Sequence, residues 1–131
     1  MSVSASHVKT LRVMHCTRLT EMRGLDQYAS LKELNVSSNS ILSMSGLEGL
    51  RWLETLNMSC NKISQIFNLQ NLTKTLKSLN LSHNRIVSLV PLSDFAEFSV
   101  LESLDLTDNY IGDLDHVRQL AKFARLRTLS F

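Results

Sequence analysis

No stretch of this chain is apolar for the about 18 consecutive residues that a bilayer span needs, and residues 1–7, MSVSASH, are polar and serine-rich without the apolar core of a secretory signal. An intracellular, cytoplasmic protein is expected. Cysteine is scarce. Only Cys16 and Cys60 occur, whereas secreted repeat domains close their ends with disulfides, so the pair fits a reducing compartment. Neither sign of charge dominates: 14 Lys+Arg against 12 Asp+Glu leave a formal +2. That balance gives no concentrated basic face, so neither nucleic acid nor a membrane is expected as a direct partner. Linkers, low-complexity runs and composition shifts are also missing, and residues 1–131 read as one domain. The 131 residues, 44% hydrophobic and 20% charged, suit one soluble globular unit with a continuous core.

What is present is repetition. Leu31-Lys-Glu-Leu34-Asn-Val36-Ser-Ser-Asn39-Ser-Ile41 returns as Leu53-Glu-Thr-Leu56-Asn-Met58-Ser-Cys-Asn61-Lys-Ile63. It returns again as Leu76-Lys-Ser-Leu79-Asn-Leu81-Ser-His-Asn84-Arg-Ile86 and Leu101-Glu-Ser-Leu104-Asp-Leu106-Thr-Asp-Asn109-Tyr-Ile111. A divergent unit begins at Val8, with Cys16 in place of the asparagine and one extra residue before Leu19; a partial unit, Leu126-Arg-Thr-Leu129-Ser-Phe131, supplies only a strand. Six repeat starts, at 8, 31, 53, 76, 101 and 126, set a period of 22–25 residues.

These residues resemble the leucine-rich-repeat family, and within it the intracellular class with repeats of about 22 residues. That class includes a regulatory subunit of type-1 protein phosphatase, an outer-arm dynein light chain and centrosomal and basal-body proteins. The resemblance covers residues 8–131 and implies an α/β fold: a right-handed solenoid with a curved parallel β-sheet on its concave face and 3₁₀ turns or short helices on its convex face. The residues give the same answer independently. In Leu-x-x-Leu-x-Leu the second and third leucines share one face of a strand and turn inward. The asparagine at position nine can bond the backbone of its own and the neighbouring repeat, so Asn39, Asn61, Asn84 and Asn109 are expected to form a buried ladder. Residues 43–50, apolar every third position, suit a 3₁₀ or single helical turn. Residues 92–98, entered by Pro91, and 117–123 are expected to be short helices.

With the leucines inward, positions two, three, five, seven and eight form the concave face. The first rung then presents Lys9, Thr10, Arg12, Met14 and His15, and the second Lys32, Glu33, Asn35, Ser37 and Ser38. The third presents Glu54, Thr55, Asn57, Ser59 and Cys60; the fourth Lys77, Ser78, Asn80, Ser82 and His83; the fifth Glu102, Ser103, Asp105, Thr107 and Asp108. The face runs from basic to acidic, a gradient able to orient a partner, although solvated charge alone is the plainer reading. It lacks the Trp, Tyr and Arg clusters that anchor tight interfaces, which favours a slender partner protein, a helix or an extended peptide.

Cys60, His83 and Asp108 share position eight on consecutive rungs. A catalytic triad is not expected there, for want of an oxyanion hole and a water-excluding pocket. Neither is a metal, because the outer two ligands lie about 10 Å apart at a strand spacing of about 4.8 Å. A Cys16–Cys60 disulfide fails on the same spacing, and Cys16 is expected to take the asparagine's part in its own turn. Four Asn-x-Ser/Thr sequons, at Asn35, Asn57, Asn71 and Asn80, look like by-products of the repeat, since glycans on adjacent rungs would crowd each other. Trp52 is expected in the apolar layer between repeats, with a partner anchor as the alternative, and Phe67, Phe95, Phe98 and Phe123 are expected to be packing residues. Tyr110 is expected on an exposed turn.

The sequence therefore predicts a non-enzymatic scaffold or adaptor without cofactor or metal, binding a partner protein through the concave sheet. The wording of Leu56-Asn-Met-Ser-Cys-Asn61 is similar to that of centrosomal and basal-body members, which implies a centrosome, basal body or cilium; a phosphatase regulatory subunit is the alternative and an RNA-processing scaffold a third. Because the last repeat stops at Phe131, three expectations compete at that end: a piece of a longer chain with a cap or coiled coil, end-to-end self-association, or a partner that supplies the cap.

Overall fold

The structure, a computed structural model, describes residues 5–89 and 98–131. Six strands, β1 Thr10–Arg12, β2 Glu33–Asn35, β3 Thr55–Asn57, β4 Ser78–Asn80, β5 Ser103–Asp105 and β6 Thr128–Ser130, form one parallel sheet in sequence order. Each is the third to fifth residue of its repeat, and the central leucines stand in one register: Leu11, Leu34, Leu56, Leu79, Leu104 and Leu129. The strands are short because the backbone carbonyl before each accepts two N–H groups from the next rung. Lys32 O, for example, takes Glu54 N at 2.8 Å and Thr55 N at 3.0 Å. One such pair per rung fixes the register without a long ladder.

The interior is a stack of aliphatic layers. Leu53, Leu56, Met58 and Ile63 of the third repeat are fully buried, as are their counterparts on the rungs either side, each side chain contributing about 1.5–3 kcal/mol of transfer free energy. In the first and last repeats Val8, Leu11, Val13, Leu126 and Leu129 are only partly buried, because each has a neighbouring layer on one side.

The asparagine ladder is present. Asn61 Nδ2 donates to Val36 O at 3.0 Å in the previous repeat and to Met58 O at 3.0 Å in its own, while its Oδ1 accepts from Ile41 N at 3.0 Å. Asn84 repeats the arrangement with Met58 O, Leu81 O and Ile63 N, each at 3.0 Å, and Asn109 with Leu81 O, Leu106 O and Ile86 N. Asn39, Asn61 and Asn84 are buried; Asn109, nearer the end, is half-buried. Asn39 reaches back to Val13 O at 2.7 Å and accepts from Cys16 N at 2.8 Å. Cys16 keeps only one of the asparagine's bonds, its thiol to Met14 O at 3.6 Å, and is exposed instead of buried. A thiol has one donor and no carbonyl, so it cannot bridge two repeats.

The convex side departs from expectation where glycine intervenes. Residues 43–50 make two successive turns and no 3₁₀ helix, yet Met44, Leu47 and Leu50 are all fully buried. Gly46 sits at φ +104°, and a Cβ there would lie 2.0 Å from Met22 O. That close backbone approach replaces the regular turn. Genuine 3₁₀ turns occur at Leu25–Gln27, Gln70–Leu72 and Leu120–Lys122. The helix expected over 117–123 begins earlier: α1 spans Leu114–Gln119 and continues into the last 3₁₀ turn, because Asp113 caps it by accepting from Asp115 N at 2.8 Å. The helix expected over 92–98, with Pro91 and Phe95, lies outside the described residues apart from Phe98. Phe98 is buried, with its ring 5.5 Å from Phe123 at a tilt of 50°, and Phe67 is partly buried against the core. Trp52, expected in the apolar layer, is 63% exposed. It lies on the turn into β3, where Leu50 and Leu53 already fill the interior.

Replacement of Asn61 by alanine leaves Ile41 N without its partner and removes one of the two asparagine donors from Val36 O, which keeps Asn39, and from Met58 O, which keeps Asn84. The expected loss is about 2 kcal/mol, read as a lower urea midpoint, and Asn61→Asp, which keeps the acceptor for Ile41 N but sets a carboxylate oxygen against both carbonyls, is expected to lose at least as much.

Candidate functional site

The sheet presents its outward residues in straight columns. Column three, Thr10, Glu33, Thr55, Ser78, Ser103 and Thr128, and column five, Arg12, Asn35, Asn57, Asn80, Asp105 and Ser130, are paired residue for residue along the sheet. Column two, Lys9, Lys32, Glu54, Lys77, Glu102 and Arg127, borders them.

Column two does not follow the expected basic-to-acidic gradient. From Lys32 onward its charges alternate, and Glu54 lies between Lys32 Nζ at 3.4 Å and Lys77 Nζ at 3.2 Å. The hydrogen bond from Lys77, then that from Lys32, holds the Glu54 carboxyl below its usual 4.5. The gradient survives in columns five and eight, from Arg12 to Asp105 and from His15 to Asp108.

Column five is half-occupied by the fold itself. The Oδ1 atoms of Asn35, Asn57, Asn80 and Asp105 accept from the N–H two residues on, at 2.9–3.0 Å, and Asp105 also takes Thr107 Oγ1 at 2.6 Å. These side chains close the turn after each strand. Column seven is drawn inward unevenly by that turn: Met14 is exposed and Ser59 and Thr107 are half-buried. Ser37 and Ser82, assigned above to the open face, are 5% and 6% exposed and contribute nothing to a partner surface.

Every residue of column eight has a left-handed backbone: His15, Ser38, Cys60, His83 and Asp108 have φ between 54° and 59°. The repeat must reverse direction there to bring asparagine inward, which restricts the residue types the column admits. His83 Nδ1 stands 3.1 Å from Asp108 Oδ2. Cys60 is a free, exposed thiol one rung away, and no group of three potential ligands among the described residues is placed to hold an ion.

Between columns two and eight the floor carries small uncharged side chains on the third and fourth rungs, where Thr55, Asn57, Ser78 and Asn80 stand. A depression of about 150 Å³ lies over the first three rungs, lined by Arg12, Glu33, Asn35, Thr55 and Asn57, with Thr10 Oγ1 donating to Glu33 Oε2 at 3.3 Å. A larger cavity of about 570 Å³ lies off the sheet, between residues 21–26 and 43–49. At the far end a hollow of about 280 Å³ is lined by Val117, Leu120, Phe123, Leu126 and Leu129.

A parallel sheet one strand per repeat, leucine layers behind it and an asparagine ladder at its edge together define a leucine-rich-repeat solenoid. The chain belongs to the leucine-rich repeat family, which matches it over residues 8–131. It is 33% identical over 128 residues to acidic leucine-rich nuclear phosphoprotein 32 family member A of Drosophila pseudoobscura pseudoobscura, covering 97% of this chain and 48% of that protein. The chain thus spans about half the length of that relative. Among solved structures it is similar to the internalin InlF of Listeria monocytogenes, with a TM-score of 0.83 and 26% identity over 96% of this chain and 35% of that one. It is also similar to a leucine-rich-repeat protein of Leptospira interrogans, with a TM-score of 0.81 and 26% identity over 95% and 31% of the two chains. The L. monocytogenes protein InlJ, at 22% identity and a TM-score of 0.76 over 98% and 26%, shares the fold.

Because the lysines favour the ionised form of Glu54, this group stabilises the fold fully above its ordinary pKa and progressively less as pH falls through the lowered one. A carboxyl NMR titration is expected to place Glu54 below 4.5. Lys77→Met is expected to move it back towards that value further than Lys32→Met does.

Proposed function

We propose that the chain is a non-enzymatic scaffold that holds a slender partner protein along its concave sheet. The observation that carries this reading is the floor itself. It is regularly spaced and faced by small polar side chains beside the charged column two, so an element laid across the rungs meets only small side chains over the third and fourth strands. Leucine-rich-repeat domains bind proteins, and their curved sheets provide extended surfaces for it. The residues assigned to the contact are Lys9, Arg12 and His15 at the basic end, Lys32, Glu33, Asn35, Glu54, Asn57, Lys77, Asn80 and His83 along the middle, and Glu102, Asp105 and Asp108 at the acidic end. At the C-terminal end the hollow beside β6, next to the 58% exposed Phe131, supports self-association end to end. Light scattering checks that part: a monomer at all concentrations overturns it.

The decisive experiment is proximity labelling in cells with the natural full-length chain and with a double variant, Glu102→Lys and Asp108→Asn. Asparagine tolerates the left-handed backbone, so melting is expected to change by no more than about 2 °C. The labelled partners are expected to be lost from the variant; an unchanged set places the contact elsewhere. Centriolar proteins in the lost set support the centrosomal placement, whereas a phosphatase catalytic subunit or ribonucleoprotein replaces it with regulation or RNA processing.

A further inference from the structure

The chain that leaves the asparagine turn forms a second ordered surface on the flank of the solenoid. Here Ser40 N bonds Leu19 O at 3.0 Å, Lys62 N bonds Ile41 O at 2.9 Å, Arg85 N bonds Ile63 O at 2.8 Å and Tyr110 N bonds Ile86 O at 2.8 Å. One bond per rung stacks these segments as regularly as the strands. Ile41, Ile63 and Ile86 turn inward and are fully buried, so the residues on either side of each face out. Two outward columns result. One contains Arg18, Ser40, Lys62, Arg85 and Tyr110, and the other Thr20, Leu42, Ser64, Val87 and Gly112.

Two properties set this flank apart from the concave floor. It carries three exposed cations, Arg18, Lys62 and Arg85, none in an ion pair among the described residues, and no carboxylate stands in either column. It also carries Leu42, Val87 and Tyr110 at 55%, 58% and 69% exposure, three of the seven exposed large apolar residues among the described residues, while the concave floor has none beyond Met14. Stacked at about 4.8 Å per rung, Leu42 and Val87 are about 10 Å apart in one column, and Tyr110 stands one rung further on in the other column, about 7 Å to the side at about 3.3 Å per residue. The Leu42–Val87 interval matches residues i and i+7 on a helix that rises about 1.5 Å per residue, and Tyr110 stands beside the next turn of such a helix.

We propose that this flank is a docking surface for an acidic amphipathic helix of a partner protein, about three turns long, whose apolar stripe lies on Leu42, Val87 and Tyr110 and whose carboxylates face Arg18, Lys62 and Arg85. A nucleic-acid backbone would satisfy the cations but has nothing to set against the leucine and valine, so a protein is the occupant. The surface is separate from the concave face and does not depend on it.

The test is an amide NMR titration of the labelled chain with a synthetic helical peptide of about 14 residues, a leucine stripe flanked by glutamates. A version with lysines for the glutamates and an oligothymidylate serve as further probes. The glutamate peptide is expected to shift Lys62, Arg85, Val87 and Tyr110 and to leave Arg12, Asn57 and Asn80 unmoved. Lys62→Glu with Arg85→Glu, and separately Val87→Ser with Tyr110→Ser, are each expected to weaken it about tenfold at unchanged melting temperature, and rising salt is expected to weaken it further. Glu102→Lys, on the concave rim, is expected to leave it unchanged. No shift at millimolar peptide, shifts confined to the concave face, equal binding of the lysine peptide or tighter binding of the oligothymidylate overturns the proposal.

Discussion

The turn that follows each strand depends on one side chain. Where the chain bends inward after position six, carbonyls of two successive repeats and an N–H of the previous one point into a leucine interior that offers no water. Asn61 satisfies Val36 O, Met58 O and Ile41 N together, and Asn84 does the same one rung on. A primary amide is the smallest neutral group with two donors and an acceptor, so no aliphatic or hydroxyl residue can substitute without leaving a buried group unpaired. Because the amide spans two repeats, it also sets their spacing.

Much of the exposed surface follows from that requirement. To bring asparagine inward, the preceding residue takes a left-handed backbone in every rung, and the residue four before it closes the turn with its side-chain oxygen. To leave the turn, the chain runs extended beside its neighbour and produces the flank. Concave face and flank are therefore the two sides of one hydrogen-bonded edge. Their chemistry differs because the fold claims more side chains on one side than on the other: the oxygens of column five are engaged in turns, while positions ten and twelve bond mainly through backbone, with Ser40 Oγ, which donates to Thr17 O at 2.9 Å, as an exception.

The period, the strands, their register, the core leucines and the asparagine ladder were all legible in the sequence, because each depends on residue type at a fixed spacing. The misread features depend on backbone geometry that no spacing reveals. Ser37 and Ser82 belong to the outward set by alternation, yet the turn takes them inside. The left-handed backbone at position eight had a signal in the sequence: across five rungs the position holds only His, Ser, Cys and Asp, polar residues that tolerate that region better than β-branched ones do. Gly46 departs from the regular convex turn because of one contact with Met22 O, which lies in another repeat. The charges of column two form a gradient only when summed rung by rung; along the column they alternate, and the position of Glu54 between neighbouring lysines makes it part of a ladder.

These distinctions bear on what can bind where. On the concave side charge is largely balanced within the protein, as at Glu54, so a partner there gains shape fit and orientation from the sheet more than attraction. The flank is the opposite case: its cations are unbalanced and its apolar groups exposed, so both the hydrophobic and the Coulombic contributions are available to a partner. Two surfaces of such different character, held rigidly to each other by the same asparagine edge, allow a chain of this size to fix the relative position of two elements without changing shape. Each rung is tied to the next by backbone bonds at the strand, by the asparagine amide and by the segment beyond the turn, so the spacing between the two surfaces is fixed at three places in every repeat of the middle of the stack.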